Sequence, residues 1–233
     1  MGWISRFLIV GMAVLVATAS ILTTSGCSSD DHAFIRFVHA SPDAPNVDIL
    51  IDGNSVATNI AYAASTNYIQ VHDGSRHIQV KATGTTTTLI DVNKNLNKNT
   101  YYTGLAVGKV SDSTLTGLLV TDDHSAPPSG QVKLRAIQAS PTAGAVDIFV
   151  EAPGTGVIGQ TPTVANVAFQ AATAFLSEAA GSYEVYVTTT GTTTVVFDSG
   201  SVAFTDGQVR TAVLLDAPGG GSPIAATVLK DLN

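Results

Sequence analysis

The sequence makes one statement twice, and that repetition limits the fold more than any other feature. Ile35 to Ile51 and Leu134 to Val150 share one plan: a hydrophobic stretch, then Ala-Ser-Pro, a short loop, and a second stretch opening on Val-Asp-Ile. An offset of 99 pairs Arg36 with Arg135, Pro42 with Pro141 and Asp48 with Asp147. An insertion of eight residues around Glu151 to Pro162 moves the offset to 107, which then holds without gaps from the pair Asn59/Asn166 to the pair Asp91/Asp198. Thirteen of those 33 positions are identical and others exchange Tyr for Phe or Ile for Val, which chance does not produce. The second half must therefore adopt the fold of the first, and each must close within roughly 100 residues.

Within each copy the hydrophobic period is two. Ile78, Val80 and Ala82 alternate with His77, Gln79 and Lys81, and Val47, Ile49 and Ile51 with Asp48, Leu50 and Asp52. Such alternation marks half-buried strands of antiparallel sheets. Strands read at 34–39, 46–52, 66–72, 76–83, 86–92, 100–109 and 115–121, with turn signals at Asp52-Gly53-Asn54, Asp73-Gly74-Ser75 and around Gly84. About seven short strands in roughly 90 residues is the count of an immunoglobulin-like sandwich. The expected fold class is all-β: two tandem immunoglobulin-like antiparallel β-sandwiches, at 33–121 and 131–233. A linker at 122–130, rich in structure-breaking residues, joins them.

The first 26 residues have the layout of a secretory signal. Arg6 supplies a positive start, Phe7 to Leu22 is apolar, and Thr24-Ser25-Gly26-Cys27 follows. This segment resembles a bacterial lipoprotein signal, which implies cleavage before Cys27, lipidation of its thiol, and a tether at 27–32. Thr24 stands where Leu is usual, and an uncleaved membrane anchor is the alternative. Ser28 implies outer-membrane delivery, so the expected address is the cell envelope. Cys27 is the only cysteine, which excludes an intramolecular disulfide and a thiolate metal cluster. Without Arg6 the chain has 10 basic and 18 acidic side chains, a net charge of −8. Such a surface repels phosphate backbones, so no nucleic-acid partner is expected.

The stretch Val38-His39-Ala40-Ser41-Pro42-Asp43-Ala44-Pro45-Asn46-Val47-Asp48 resembles the opening of a cell-envelope family, domain of unknown function 4397. The resemblance covers the first copy throughout and the second more loosely, since His39, Asp43 and Pro45 become Gln138, Thr142 and Gly144. It implies a surface or periplasmic β-domain and no reaction.

Both copies keep one Arg and one Asp in otherwise hydrophobic strands, so Arg36 with Asp48 and Arg135 with Asp147 are expected to form structural polar pairs across the Ala-Ser-Pro turn. Ser41 with His39 is the one candidate nucleophile and base, but His39 becomes Gln138 and no Gly-x-Ser-x-Gly elbow exists. His72 and His77 flank a turn with Asp73, as a zinc site requires, and Asp122 with Asp123 suggests calcium at the linker. Unliganded hairpin histidines and a solvated linker are the plainer readings, so no metal, cofactor or catalytic residue is assigned. The runs Thr83–Thr88 and Thr188–Thr194 read as hairpins with a polar face.

The expectation is a non-enzymatic, lipid-anchored envelope protein that meets the membrane through Cys27 and serves as a structural or interaction module. A carbohydrate or cell-wall binding module is the alternative, with envelope proteins or glycans as partners; it requires exposed aromatics among Tyr62, Tyr68, Tyr101 and Tyr102. A metal-dependent or serine hydrolase stands third and requires His39, His72 and an acid to converge.

Overall fold

The computed structural model describes residues 31–233, so the expected signal at 1–26 and Cys27 lie outside the described residues. The first half contains β1 (His32–Ala40), β2 (Val47–Ile51), β3 (Asn54–Ile60), β4 (Ile69–His72), β5 (Gly74–Ala82), β6 (Thr88–Leu96), β7 (Tyr101–Val107) and β8 (Thr116–Asp122). The second contains β9 (Gln131–Gln138), β10 (Val146–Glu151), β11 (Val164–Val167), β12 (Leu176–Ala179), β13 (Gly181–Thr189), β14 (Val195–Phe204), β15 (Val209–Leu215) and β16 (Ala225–Leu232). Each half is a pair of four-stranded sheets, β4-β1-β7-β8 against β3-β2-β5-β6 and β12-β9-β15-β16 against β11-β10-β13-β14. The orders are identical, strand for strand.

The all-β sandwich expected from periodicity is what forms, with two departures. Asn54–Ile60 is an eighth strand that the alternation does not announce, because only Ile60 on it is buried. It pairs with β2 through shifted registers, as irregular edge strands do. Second, β1 and β7 run parallel from Phe34/Tyr101 to Ala40/Val107, and β9 with β15 likewise, so the inner sheets are mixed.

Alternation along β1 explains how the halves stack. Ala33, Ile35 and Phe37 enter the first sandwich core with Val47, Ile49, Ile78, Val80 and Ile90 of the opposite sheet. The other face of β1 and β7 is also apolar. Val38, Ala40, Leu105 and Val107 meet Ile137, Ala139, Val213, Leu215 and Leu229 of the second half in one core. The β4-β1-β7-β8 and β12-β9-β15-β16 sheets are thus buried on both faces, which is why their central strands are near-continuous hydrophobic runs. Four sheets form one stack. The eight-residue insertion folds over the outermost sheet, where Val157 packs on Phe149 and Tyr186.

Both halves point the same way. Gly219 N donates to Pro42 O at 2.7 Å and Tyr62 Oη donates to Asp216 O at 2.8 Å. These bonds gather the two Ala-Ser-Pro loops and the loops after β7 and β15 at one end. The start of β1 and the 123–130 connection lie at the other.

Candidate functional site

Inside the stack, the face that carries Val38 and Ile137 also carries two arginines. Arg36 and Arg135 are 2% and 5% exposed, so each guanidinium needs charge and hydrogen bonds from protein. Neither finds them in its own turn. Arg36 Nη2 donates to Asp231 Oδ1 at 2.6 Å and Nη1 to Lys230 O at 2.9 Å; Arg135 Nη2 donates to Asp122 Oδ1 at 2.5 Å and Nη1 to Thr121 O at 2.9 Å. Thr103 Oγ1 accepts from Arg36 Nε and donates to Asp122 Oδ2 at 2.6 Å, while Thr211 Oγ1 accepts from Arg135 Nε and donates to Asp231 Oδ2 at 2.8 Å. Arg36 lies over the Tyr68 ring and Arg135 over that of Phe175, 4.7 and 4.5 Å from the centroids. The cluster is reciprocal: the last strand of each half supplies the carboxylate for the other half's arginine.

This arrangement corrects the expected pairs. Arg36 does not meet Asp48, nor Arg135 Asp147, because β1 and β2 belong to opposite sheets and Arg36 faces away from β2. Asp48 Oδ1 instead accepts from Asn59 N and Thr83 Oγ1, both at 2.8 Å. Asp147 accepts from Asn166 N at 2.7 Å and Gly191 N at 2.8 Å. Asn59 and Asn166 have positive φ of 55° and 54°, so each carboxylate fixes a left-handed residue and the Thr-rich hairpin together. The bond from Asn59 N holds the Asp48 carboxyl below its usual range. Asp122 is likewise no solvated linker residue. It is 7% exposed and central to the cluster, while Asp123 pairs with Lys133 at 2.5 Å.

The Ala-Ser-Pro loops are braced in parallel ways by different side chains. His39, 1% exposed, donates from Nε2 to Pro45 O at 2.9 Å and accepts at Nδ1 from Ser41 N at 3.4 Å. Gln138 donates to Gly144 O at 2.8 Å and accepts from Ser140 N at 3.0 Å. Asp43 reaches from its loop to Val110 N and Ser111 N at 2.8 and 2.9 Å. In the second half Thr142 replaces it and the clamp comes from the other side. Asp216 accepts from Ser140 Oγ, from Thr142 Oγ1 at 2.9 Å and from Gly221 N at 3.1 Å. Burial pushes the Asp43 carboxyl up, but the two backbone N–H groups outweigh it and hold it at about 2.

His39 and Ser41 are therefore occupied as loop braces. Burial lowers the His39 pKa against the pull of the Pro45 and Ala44 carbonyls. A lowered folded-state pKa means that stability is present above the unfolded value of about 6.5 and falls as pH drops below it. We expect His39→Gln to keep the fold and flatten that slope. His39→Ala should cost about 1–3 kcal/mol by stranding buried backbone groups. Urea unfolding of both variants at pH 7 and pH 5 checks this, and equal losses in the two would contradict the brace.

The remaining candidates do not converge. His72 ends β4 in one sheet and His77 lies on β5 in the other, so the Asp73-Gly74 turn crosses between sheets and is no hairpin. His77 Nε2 bonds Asp91 Oδ1 at 2.6 Å, and the His72 ring sits 5.5 Å from that of His32. Among the described residues no group of three or more His, Cys, Asp or Glu side chains is placed to hold a metal ion. The Thr-rich runs do form hairpin turns, with Gly84 and Gly191 at φ of 73° and 75°. Of the tyrosines, Tyr102 is core, Tyr62 and Tyr68 are bonded at the seam, and Tyr101 is stacked between Phe34 and His124. Sequence reasoning singled out Asp122 only as a calcium candidate and missed Asp231, Thr103, Thr211 and Asp216. The signal was there in outline, since Thr103/Thr211 and Asp122/Asp231 recur in the last two strands of each copy.

Among solved structures the chain is similar to a family-26 carbohydrate-binding module from Eubacterium rectale Amy13K, crystallised with maltoheptaose. That likeness has 10% identity and a TM-score of 0.27, covering 85% of this chain and 96% of that one. It is also similar to the Bacillus anthracis TIE protein at 6% identity and a TM-score of 0.26, covering 81% and 34%. Scores this low carry no argument about activity. No curated protein matches. A protein-family model does match, from the start of β1 through both Ala-Ser-Pro loops and into β10. It is described as Domain of unknown function (DUF4397), it spans residues 33–149, half of the chain, and the chain belongs to that family.

Proposed function

We propose that this is a non-enzymatic, lipid-anchored envelope protein that presents the Ala-Ser-Pro end of its paired sandwiches as an interaction surface. The observation that carries the reading is the polarity of the stack. The chain enters β1 at His32, five residues after Cys27, at the end opposite the four gathered loops. An acyl group on Cys27 would place the entry end at the bilayer and the loops away from it. The polar side chains of those loops are spent on holding loop shape, as a rigid recognition surface requires. His39 and His72, which a hydrolase reading requires to converge with an acid, lie at opposite ends of β1, and Ser41 stands beside His39 in the braced loop.

Membrane fractionation with mass analysis of the mature amino terminus tests the anchor. We expect an acylated Cys27 at the terminus, and a Cys27→Ser protein that leaves the membrane. A terminus that retains residues 1–26 would overturn it.

A further inference from the structure

The two sandwiches share a strand order but not a core. The first closes nearly solid around Phe37, with a residual space of about 30 Å³. The second encloses a cavity of about 120 Å³ between its sheets. The difference traces to a few equivalent positions. Phe37 becomes Ala136, and Gly104, whose added Cβ would lie 3.1 Å from the Phe37 ring, becomes Ala212. One methyl is returned where a whole ring is lost. At the rim Gly117 becomes Ala226; a Cβ on Gly117 would meet Ile90 at 3.3 Å, so the methyl of Ala226 stands where β8 closes on β6. The cavity reaches solvent beside Val228, which lines it and is 61% exposed.

Four polar residues line this otherwise apolar space, and three are committed elsewhere: Arg135 to Asp122, Thr173 to Ala136 N and Ala174 O, and Ser199 to Val185 N and Gly200 O. Arg210 takes the place of Tyr102 and is only 9% exposed. Its Nη1 donates to Val209 O and Leu232 O at 2.9 and 2.8 Å. Nε and Nη2 have no hydrogen-bond partner among the described residues. Burial lowers its pKa, and the compensating field comes from Asp231, which Arg36 and Arg135 already share. Arg210 sits on the cavity face of β15 with Ala212 and Leu214, whereas Thr211 on the other face bonds Asp231 at the seam, so Arg210 has no carboxylate within ion-pair distance among the described residues. A buried cation with free donors in an apolar cavity is matched by an anion with an apolar body.

We propose that the second sandwich binds a small monocarboxylate with a ring-sized apolar body, the ring filling the space that Phe37 fills in the first half and the carboxylate meeting Arg210. An apolar cavity of about 150 Å³ accepts benzene; this one, at about 120 Å³ and open to solvent beside Val228, takes a single ring as its largest apolar body.

Titration of the full-length protein at pH 7 with sodium phenylacetate, followed by calorimetry and methyl NMR, tests this, with 2-phenylethanol as the neutral counterpart. We expect saturation on the order of 1 mM or below, with shifts at Val187, Val202 and Val228. Arg210→Gln should weaken binding roughly tenfold or more. The double variant Ala136→Phe/Ala212→Gly, which carries the first half's ring and glycine, should lose it. Phenylethanol binding as tightly as phenylacetate would overturn the carboxylate assignment, and undiminished binding by the double variant would overturn the cavity. Circular dichroism confirms that each variant is folded; should the double variant not fold, Ala212→Leu occludes the same space and is read the same way.

Discussion

Asp231→Ala is expected to destabilise the protein by about 3–5 kcal/mol, the cost of removing one partner from a buried ion pair. Arg36 then keeps Thr103 and the Lys230 carbonyl but loses its 2.6 Å carboxylate, and Asp122 stands 3.6 Å away with its Oδ1 already committed to Arg135. Thr211 Oγ1 loses its acceptor in the same stroke. Replacing Arg36 as well, by Met, removes the stranded charge, so Arg36→Met/Asp231→Ala should cost less than the two single changes summed. Guanidinium unfolding of the four proteins closes the cycle. Additive losses would mean that the two residues act separately, against the cluster drawn from the geometry.

The second large effect concerns the cores. Phe37→Ala should cost about 3–5 kcal/mol, because its ring is buried in the first sandwich against Gly104 and the surrounding β-strands cannot collapse onto the space. The reciprocal change should stabilise. At about 24 cal/mol per Å³, a cavity of about 120 Å³ carries a penalty of up to about 3 kcal/mol, part of which Ala136→Phe/Ala212→Gly should recover. Ala136→Phe alone should recover less, since the Ala212 methyl stands where Gly104 leaves room. Thermal unfolding without ligand separates these outcomes. A stabilising Phe37→Ala would contradict the equivalence of the two cores.

Much of this architecture was legible in the sequence, and the limits are physical. Val47, Ile49 and Ile51 declare a strand because one face is core and the other is wet. Asn54–Ile60 does not, because an irregular edge strand buries little and so need not alternate. The parallel pairing of β1 with β7 is set across more than sixty residues of intervening chain, where no local pattern can encode it. The arginines show the same limit more sharply. Arg36 and Asp48 are near in sequence and repeated, so a local pair was the natural expectation, yet Arg36 finds its carboxylate 195 residues away. The clue lay in the outward face of its strand. Val38 and Ala40 have no reason to be apolar unless a second sheet covers them, and that cover comes from the other copy. The cavity needed the structure too, although reading Phe37 against Ala136 in the aligned copies already marks where volume was lost.

Two copies of one sandwich form a single unit through a charge cluster that neither can complete alone. Scanning calorimetry of the full-length protein, as wild type and as Asp231→Asn, distinguishes one unit from two. One transition is expected in the wild type, with calorimetric and van't Hoff enthalpies equal, and a lower transition temperature for the variant. Two separate wild-type transitions, with Asp231→Asn moving only one of them, would contradict it.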